Sequence, residues 1–342
     1  MKEASFALLS SLAVLGASGQ TKPGGPQYEL ANRTTKIVFH LPDPQKGFYR
    51  GTRFDWAGQI AELQSQGHTY FDQWFSRVDP SVHDFIYDGA DIVVSPCTGA
   101  TGPVEEFTAL GYDDAKAGGT FVKIGVGVLR KPDEAKYDSF HLYDVVDSGK
   151  WRIKKGKDSI EFTQDIHDAS SRYGYHYEKT MVLDSDNPVL TIKHRLTNNG
   201  GRPIDTEIYD HNFLSIDRQP PGPDVAISFP FQIVPVLTPE KDLAEIRGNQ
   251  VVYLKTLTGE DRVYAIMRGF SESPADYHIR MENARLGAGL TIVGDQPLKR
   301  IAVWSIRAVL AVEPFIEISV APGQTATWTY KYTFGNPASS MM

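Results

Sequence analysis

The sequence predicts an all-β protein built as a two-layer sandwich, in which two large sheets pack face to face. Many short segments alternate, or run rich in β-branched and aromatic residues, as strands do. Clusters of Asp, Asn, Pro and Gly separate these segments, and none shows the long 3.6-residue period of a helix. Strands spaced evenly without intervening helices favour a sandwich over βαβ units. The 342 residues include 17 Phe and 16 Tyr, whose rings suit a pleated, half-buried surface.

The strand pattern recurs along the whole chain. It predicts strands at Lys36–Leu41, Phe121–Leu129, Trp151–Ile153, Ser159–Gln164, Tyr173–Leu183, Val189–Leu196, Asp205–Tyr209, Val225–Pro230, Gln250–Leu257, Arg262–Met267, His278–Met281, Leu290–Val293, Ile301–Val309, Ile316–Val320 and Thr325–Phe334. Short turns join Tyr175–Leu183, Leu190–Leu196 and Ile204–Phe213, which predicts a three-stranded antiparallel meander. Ser95–Gly119 is Gly-rich and acidic, and it is predicted to be irregular; such long stretches are often functional.

Composition and motifs exclude several classes of function. The formal net charge is −7 and no strong Lys/Arg cluster is present, so we expect no nucleic-acid partner. Cys97 is the one cysteine, which rules out an internal disulfide and a Cys-based zinc site. The nine His residues show no metal-ligand spacing, and Gly125–Gly127 lies within a predicted strand rather than in a phosphate-binding loop. We therefore expect neither a metal nor another cofactor.

The N-terminus has the features of a secretory signal peptide. An apolar run, Ala4–Gly16, follows Lys2, and small residues at Ala17–Gly19 fit a cleavage site. The run is too short to span a membrane, which takes about 20 apolar residues. We expect a secreted protein, extracellular or periplasmic, in which Asn32 begins a glycosylation sequon relevant only in a eukaryotic host. The predicted organisation is a signal peptide at 1–19, a flexible leader at 20–27, one β-sandwich domain at 28–335 and a disordered tail at 336–342.

Two segments carry side chains suited to proton transfer. Glu207–Asp217 is a strand that ends in polar groups around His211, and histidine exchanges a proton near neutral pH. Ala311–Val320 places Glu313 among aliphatic residues, which raises a carboxyl pKa toward neutrality unless the group is paired. Pro314 is expected to end the strand ladder there. Composition alone equally allows a histidine satisfied by its neighbours and a salt-bridged edge glutamate, and Glu317 is an alternative carboxylate.

At these segments the sequence resembles the galactose mutarotase-like (aldose 1-epimerase) superfamily. Lys179–Leu214 is similar to the central meander of that family, and His211 falls where the family has its catalytic histidine. Near the C-terminus, Glu313 falls on the family's catalytic glutamate, and Pro322–Gln324 with Trp328–Phe334 resembles its closing turn and aromatic strand. The fold implied by this resemblance is the β-supersandwich.

Other parts of the chain are similar to the family with departures. Gly47–Ile60 looks like its first hairpin. Val122–Arg130 falls where aldose epimerases have a sugar-binding strip rich in His and Gly, but the histidine is absent and Lys123 and Arg130 stand nearby. Asp210 precedes the histidine where the family usually has Asn.

The resemblance implies an isomerase that interconverts sugar anomers by opening the ring, with a carbohydrate as its partner. In that scheme Glu313 is the base and His211 the acid. Gly102–Phe107 is expected to form the rim of the sugar site. Candidates to hold sugar hydroxyls, each of which also admits a packing role, are Arg53, Asp55, Glu105, Glu106, Lys123 and Trp304.

Two alternatives remain open at this point. The missing histidine near Lys123 also fits a protein that binds carbohydrate without turnover. Related supersandwiches occur in polysaccharide lyases and hydrolases, and the adjacent Glu105 and Glu106 would then matter because glycoside hydrolysis uses two carboxylates.

The predicted leader can be tested directly. Expressed with its full N-terminus in a secreting host, the protein should reach the medium or periplasm with a new N-terminus near Gly19 or Gln20, which N-terminal sequencing would reveal. Cell-retained protein that still begins at Met1 would contradict the prediction.

Overall fold

Antiparallel sheets make up almost all the regular structure of residues 24–335, the part of the chain that the computed structural model describes. Of these described residues, 50% lie in strands and 2% in helices, which confirms the all-β prediction. Within these residues the helical segments are two 3₁₀ turns, η1 at Ile216–Arg218 and η2 at Pro274–Asp276. None of the described helices is long and apolar enough to cross a membrane. The predicted signal peptide at 1–19, residues 20–23 of the predicted leader and the predicted tail at 336–342 lie outside the described residues.

The first half of the described chain forms mostly short strands. They are β1 Gln27–Ala31, β2 Thr35–His40, β3 Ile60–Ser65, β4 His68–Phe71, β5 Arg77–Val78, β6 Phe85–Asp88, β7 Asp91–Val94, β8 Val104–Phe107, β9 Thr120–Lys123, β10 Gly127–Arg130, β11 Asp144–Asp147 and β12 Lys150–Lys155.

The second half contains the longest strands. They are β13 Ser159–His167, β14 Gly174–Leu183, β15 Val189–Asn198, β16 Ile204–His211, β17 Val225–Ser228, β18 Val234–Leu237, β19 Ala244–Arg247, β20 Gln250–Tyr253, β21 Arg262–Arg268, β22 His278–Asn283, β23 Ala288–Gly294, β24 Arg300–Ile306, β25 Val309–Val320 and β26 Thr325–Phe334.

Two large sheets form the layers of the sandwich. In the described residues, one has ten strands in the order β12-β13-β14-β15-β26-β23-β22-β17-β20-β19, and the other six in the order β18-β21-β24-β25-β16-β8. Their facing side chains share one apolar core, where Phe107 of β8 packs edge-on against Tyr177 and Trp328 of the ten-stranded sheet. Three smaller sheets, β1-β2-β3-β4, β5-β7-β6 and β11-β10-β9, flank the layers in this part of the chain.

The predicted meander is correct for its first two strands and wrong for its third. β14 and β15 pair in register from Tyr175 opposite Asn198 to Leu183 opposite Leu190. β16, however, crosses to the six-stranded sheet, and β26 occupies the place beside β15. The turn between β15 and β16 indicates only that the chain reverses. Which strand fills the neighbouring position depends on long-range packing of the aromatic β26 side chains.

Other local predictions also needed correction. The predicted strand Phe121–Leu129 is a hairpin of β9 and β10, because Gly125 makes a turn with φ +77°. A Cβ on Gly125 would stand 2.3 Å from Asp55 Oδ1, so a larger residue would not fit there. Gly47–Ile60, which resembles a hairpin, contains no strand until β3 begins at Ile60. Ser95–Gly119 is not wholly irregular, since it includes the fully buried strand β8.

The two faces of the six-stranded sheet have different surroundings, because successive side chains on a strand point to opposite sides. On β8, Glu105 points into the interior between the two large sheets, and Glu106 points to the outer face. On β16, Asp210 points inward to Tyr332, while His211 points outward. One strand register therefore sets both an interior network and an outer site.

A buried ion network joins the two large sheets behind this face. Lys179 of β14 donates to a Glu105 carboxylate oxygen and lies 3.5 Å from Asp55 Oδ2, and all three side chains are fully buried. His194 Nε2 lies 2.7 Å from the other Glu105 oxygen. Burial alone would raise the pKa of Glu105, but Lys179 and His194 hold it below its usual range. Because no solvent reaches these charges, each depends on its partners.

We expect Lys179→Met to destabilise the protein strongly, because it leaves two buried carboxylates without their cation. Breaking a buried pair in this way typically costs about 3–5 kcal/mol, measurable by urea unfolding at neutral pH. Lys36→Met is the matched control, since Lys36 pairs with Glu29 where both side chains are half exposed. Equal midpoints for the two variants would contradict the structural role of the network.

Candidate active site

His211 and Glu313 stand side by side at an interruption between β16 and β25. The ladder between these strands ends with Tyr209 opposite Phe315, and it resumes only at the isolated bridge of Leu214 with Leu310. In the gap, His211 Nε2 lies 3.3 Å from Glu313 Oε1. Both residues are at least nine-tenths buried. The two side chains singled out from the sequence are thus brought together in space.

Pro314 explains the one-sided interruption. Proline lacks an N–H, so it cannot donate to β16 at this point. On its other side Pro314 stays in register with Ile301, and the ladder with β24 continues to Ile306 opposite Val309. The predicted end of the ladder therefore applies to the β16 side alone. Asn212 bridges the gap through its side-chain amide, which donates to the carbonyl oxygens of Asp210 (3.1 Å) and Val312 (2.9 Å).

Aromatic rings fix the orientation of the His211 imidazole. Phe213 stacks on it with centroids 3.7 Å apart and an interplanar angle of 17°. Phe54 meets it edge-on at 5.6 Å, and Trp304 does so at 6.0 Å. His211 Nδ1 has no hydrogen-bond partner within residues 24–335. The ring is therefore held by packing rather than by a polar partner, and Nε2 faces Glu313.

Burial shifts both pKa values toward the uncharged forms. It holds the pKa of His211 well below the usual histidine value, and the nearby Arg53 charge lowers it further. Burial also raises the pKa of Glu313 to about 7, although Arg53 opposes the shift. Near neutral pH the pair thus has a neutral imidazole beside a carboxyl group that is about half protonated.

A cavity of about 240 Å³ opens over this pair. The strand registers place Glu313 opposite Ala302, and they place Trp304, two residues along β24, opposite Tyr264 of β21. These side chains therefore project from the same outer face of the sheet. The residues that line the cavity are Arg53, Asp84, Thr98, Phe140, His211, Phe213, Arg262, Tyr264, Trp304 and Glu313.

Arg53 forms one wall, and its hydrogen bonds are made within the protein. Its Nε donates to Glu106 Oε2 and its NH2 to Tyr209 OH, both at 2.8 Å. The guanidinium also lies over the rings of Phe54 and Phe140, at 4.4 and 4.6 Å from their centroids. Arg53 is thus held rigidly as a fixed positive charge near the His211–Glu313 pair.

The other residues singled out from the sequence lie at different depths. Trp304 lines the cavity, and Glu106 stands behind Arg53. Asp55 and Glu105 do not line the cavity, because they belong to the interior network with Lys179. Lys123 is also sealed, and its ammonium donates to Glu106 Oε1 (3.3 Å) and to the Phe107 carbonyl (2.6 Å). The structure therefore brings two of the six candidate binding residues to the cavity wall.

Two further expectations do not match the structure. Gly102–Phe107 is not an exposed rim, because all of these residues are buried and β8 accounts for four of them. Glu317, the alternative carboxylate, is exposed, pairs with Lys299 at 3.0 Å and does not line the cavity. Glu317 therefore lies on the solvent side of the strand, apart from the buried His211–Glu313 pair.

Several lining residues were missed in the sequence. Arg262 and Tyr264 alternate with the buried Val263 and Ala265, so the β21 pattern contained a signal for an outward polar face. Asp84, Thr98 and Phe140 come from segments with little regular structure, and no periodicity points to them. Among the described residues, no group of three or more His, Cys, Asp or Glu side chains is placed to hold a metal ion.

A scan against protein-family models and a search of curated proteins found no match. Solved structures do match over most of the chain. The GalM/aldose epimerase homologue from C. elegans is 11% identical with a TM-score of 0.53, covering 92% of this chain and 99% of that one. A galactose mutarotase-like protein from Lactobacillus casei is 12% identical with a TM-score of 0.52, covering 90% and 100%. A putative aldose 1-epimerase from Escherichia coli K12 is 14% identical with a TM-score of 0.50, covering 91% and 99%.

These likenesses show that the chain has the galactose mutarotase-like fold, as the sequence predicted. At this level of identity the likenesses establish the architecture, and the chemistry depends on the residues of this chain.

Proposed function

We propose that the protein interconverts the α and β anomers of an aldose by acid/base opening and closing of the sugar ring. The observation that carries the proposal is the buried His211–Glu313 pair, 3.3 Å apart at the cavity wall. The cavity, at about 240 Å³, is smaller than the roughly 300–1,000 Å³ of sites for drug-sized ligands. It suits a small ligand such as one sugar ring, whose C–H face can stack on Trp304 or Phe140.

Anomer exchange needs two proton transfers and no net change of protonation. One group accepts the proton of the C1 hydroxyl while a second gives a proton to the ring oxygen, and the C1–O5 bond breaks to leave an aldehyde. Rotation about the C1–C2 bond presents the other face of the carbonyl. Ring closure then returns each proton to the group that supplied it, so the site is regenerated.

The pair can supply this chemistry with a single proton. The family scheme makes the His211 imidazolium the donor and the Glu313 carboxylate the acceptor. A neutral His211 beside a protonated Glu313 contains the same number of protons in the opposite arrangement, and the pKa directions of the two groups favour it. We therefore assign Glu313 as the donor to the ring oxygen and His211 as the acceptor of the hydroxyl proton in the resting site.

The alternatives differ in how they fit the structure. A carbohydrate-binding protein without turnover would use the same cavity and remains a second candidate, to be decided by measuring anomer exchange. The hydrolase interpretation relied on Glu105 and Glu106 acting together. Those neighbours point to opposite faces of β8, and both are bound to cations, so this interpretation has no support in the cavity.

We expect the native protein to accelerate equilibration of fresh α-glucose or α-galactose, followed by polarimetry or NMR. His211→Ala and Glu313→Gln should each slow the reaction about 10²–10⁴-fold, because each removes one proton-transfer group. Glu317→Gln is the control, since Glu317 is an exposed glutamate on the same strand and lies outside the cavity.

The outcome separates the candidates. If the native protein accelerates no aldose, the epimerase proposal fails, and sugar binding seen by NMR titration would then favour the non-catalytic candidate. Loss of activity in Glu317→Gln as large as in Glu313→Gln would contradict the assigned site.

The pH dependence follows from the single shared proton. Because protonated Glu313 is the donor, kcat/KM should be highest below its pKa of about 7 and fall about tenfold per pH unit above it. At acid pH it should fall again once His211 becomes protonated, which the low pKa of His211 places well below the usual histidine range. Rates corrected for buffer catalysis would check this. A constant kcat/KM between pH 6 and 9 would contradict the donor role of Glu313.

A further inference from the structure

We propose that the sugar bound here bears an anionic group remote from its anomeric carbon, and that Arg262 binds this group. The inference rests on the proposed anomer exchange and adds the chemical class of the substrate. It starts from the position of Arg262 in the cavity wall and from the lack of a hydrogen bond or ion pair to its guanidinium within residues 24–335.

Arg262 enters the cavity at the end away from the proton-transfer pair. Glu313 lies opposite Ala302, whose partner on β21 is Ile266, and Arg262 is four residues from Ile266 on the same strand. That offset is about 13 Å along the strands and about 10 Å across two strand spacings. Both side chains line the cavity, and Trp304 lies between them on the same face. The remaining space suits one sugar ring with its exocyclic group toward Arg262.

The charge of Arg262 acts on Asp84 only at a distance: burial raises the pKa of that carboxyl, and Arg262 opposes the shift without a direct contact. Its guanidinium makes no hydrogen bond and no ion pair within residues 24–335. The other cations around the cavity are engaged. Arg53 is bound by Glu106 and Tyr209, Lys123 by Glu106 and the Phe107 carbonyl, and Arg300 by Glu207 at 3.0 Å. Of these four cations, Arg262 is the one whose guanidinium N–H groups are available to a ligand.

The groups near Arg262 do not occupy its guanidinium, and one of them, Asp84, could bind another part of the same ligand. Asp84 is the acid beside it on the cavity wall, but its Oδ1 accepts the Thr98 hydroxyl at 2.7 Å and it forms no ion pair with Arg262. A ligand between them could place an anion on Arg262 and a sugar hydroxyl on Asp84. The planar guanidinium presents paired N–H groups that match the two oxygens of a carboxylate or phosphate.

The overall charge of the molecule makes this local cation necessary. With a formal net charge of −7, the protein as a whole repels anions. An anionic sugar would therefore need a specific contact, and binding through an exposed guanidinium should weaken as salt rises.

The test compares matched sugars that differ only at C6. Anomer exchange is measured by NMR for D-glucose, D-glucuronate and D-glucose 6-phosphate, and for D-galactose and D-galacturonate. We expect kcat/KM for an anionic sugar to exceed that of its neutral partner by roughly 10- to 100-fold, mainly through KM, because a hydrogen bond to a charged group has that value. The uronates and the phosphate distinguish a carboxylate from a phosphate as the group bound.

Arg262→Gln should remove this preference by raising KM for the anionic sugar far more than for its neutral partner. Arg268→Gln is the matched control, since Arg268 is an exposed arginine on the same strand that does not line the cavity. Turnover of neutral sugars with no preference for anionic ones would overturn the inference and leave the epimerase proposal standing. If no sugar is turned over, NMR titration with D-glucuronate and neutral D-glucuronamide decides, and equal affinities in the native protein would overturn the inference.

Discussion

The ion network of Lys179 with Asp55 and Glu105 is the interaction on which the rest of the structure depends. It lies between the two large sheets, and it links β14 of one sheet to β8 of the other through fully buried charges. Shifting β8 by one residue would bring Glu106 into the interior and Glu105 to the outer face. The network therefore fixes the register that places Glu106 behind Arg53, and through Arg53 it fixes the electrostatic setting of the cavity.

The same sheet thus serves two purposes on its two faces. Residues that point inward contact ionic and aromatic partners, as Asp210 does with Tyr332. Burial, and to a lesser extent the nearby Glu105 charge, raises the pKa of Asp210 to about 8. Residues that point outward line a small cavity, and half of its lining residues carry aromatic or imidazole rings. Both environments bury ionisable groups, but only the outer one gives a ligand access to groups with shifted pKa values.

The sequence predicted the architecture well and the site in part. Long alternating strands such as β13–β16 and β26 are evident because their period is strong. The sequence did not reveal that β26 rather than β16 lies beside β15, because pairing between distant strands leaves no local pattern. His211 and Glu313 were singled out from chemistry and resemblance, and the fold brings them together.

The binding residues were harder to predict for a physical reason. Glu105 and Lys123 are charged residues in strands, which from sequence alone suggests a polar surface or a site, yet both are buried and neutralised by partners. Arg262 has the opposite character, since it resembles an ordinary exposed arginine until the register shows which cavity it faces. Whether a charge has a partner is a property of the folded state.

The interrupted ladder beside Pro314 leaves His211 and Glu313 with a paired strand on one side only. Glu313 lies opposite Ala302 on β24 and His211 lies opposite Val104 on β8, whereas between β16 and β25 the Asn212 side chain spans the opening. Each residue is thus paired on its outer side and lacks a ladder partner on the side that faces the other. In the proposed anomer exchange the C1 oxygen takes two positions, and a gap in the ladder between the two proton-transfer groups would give their side chains room to follow it.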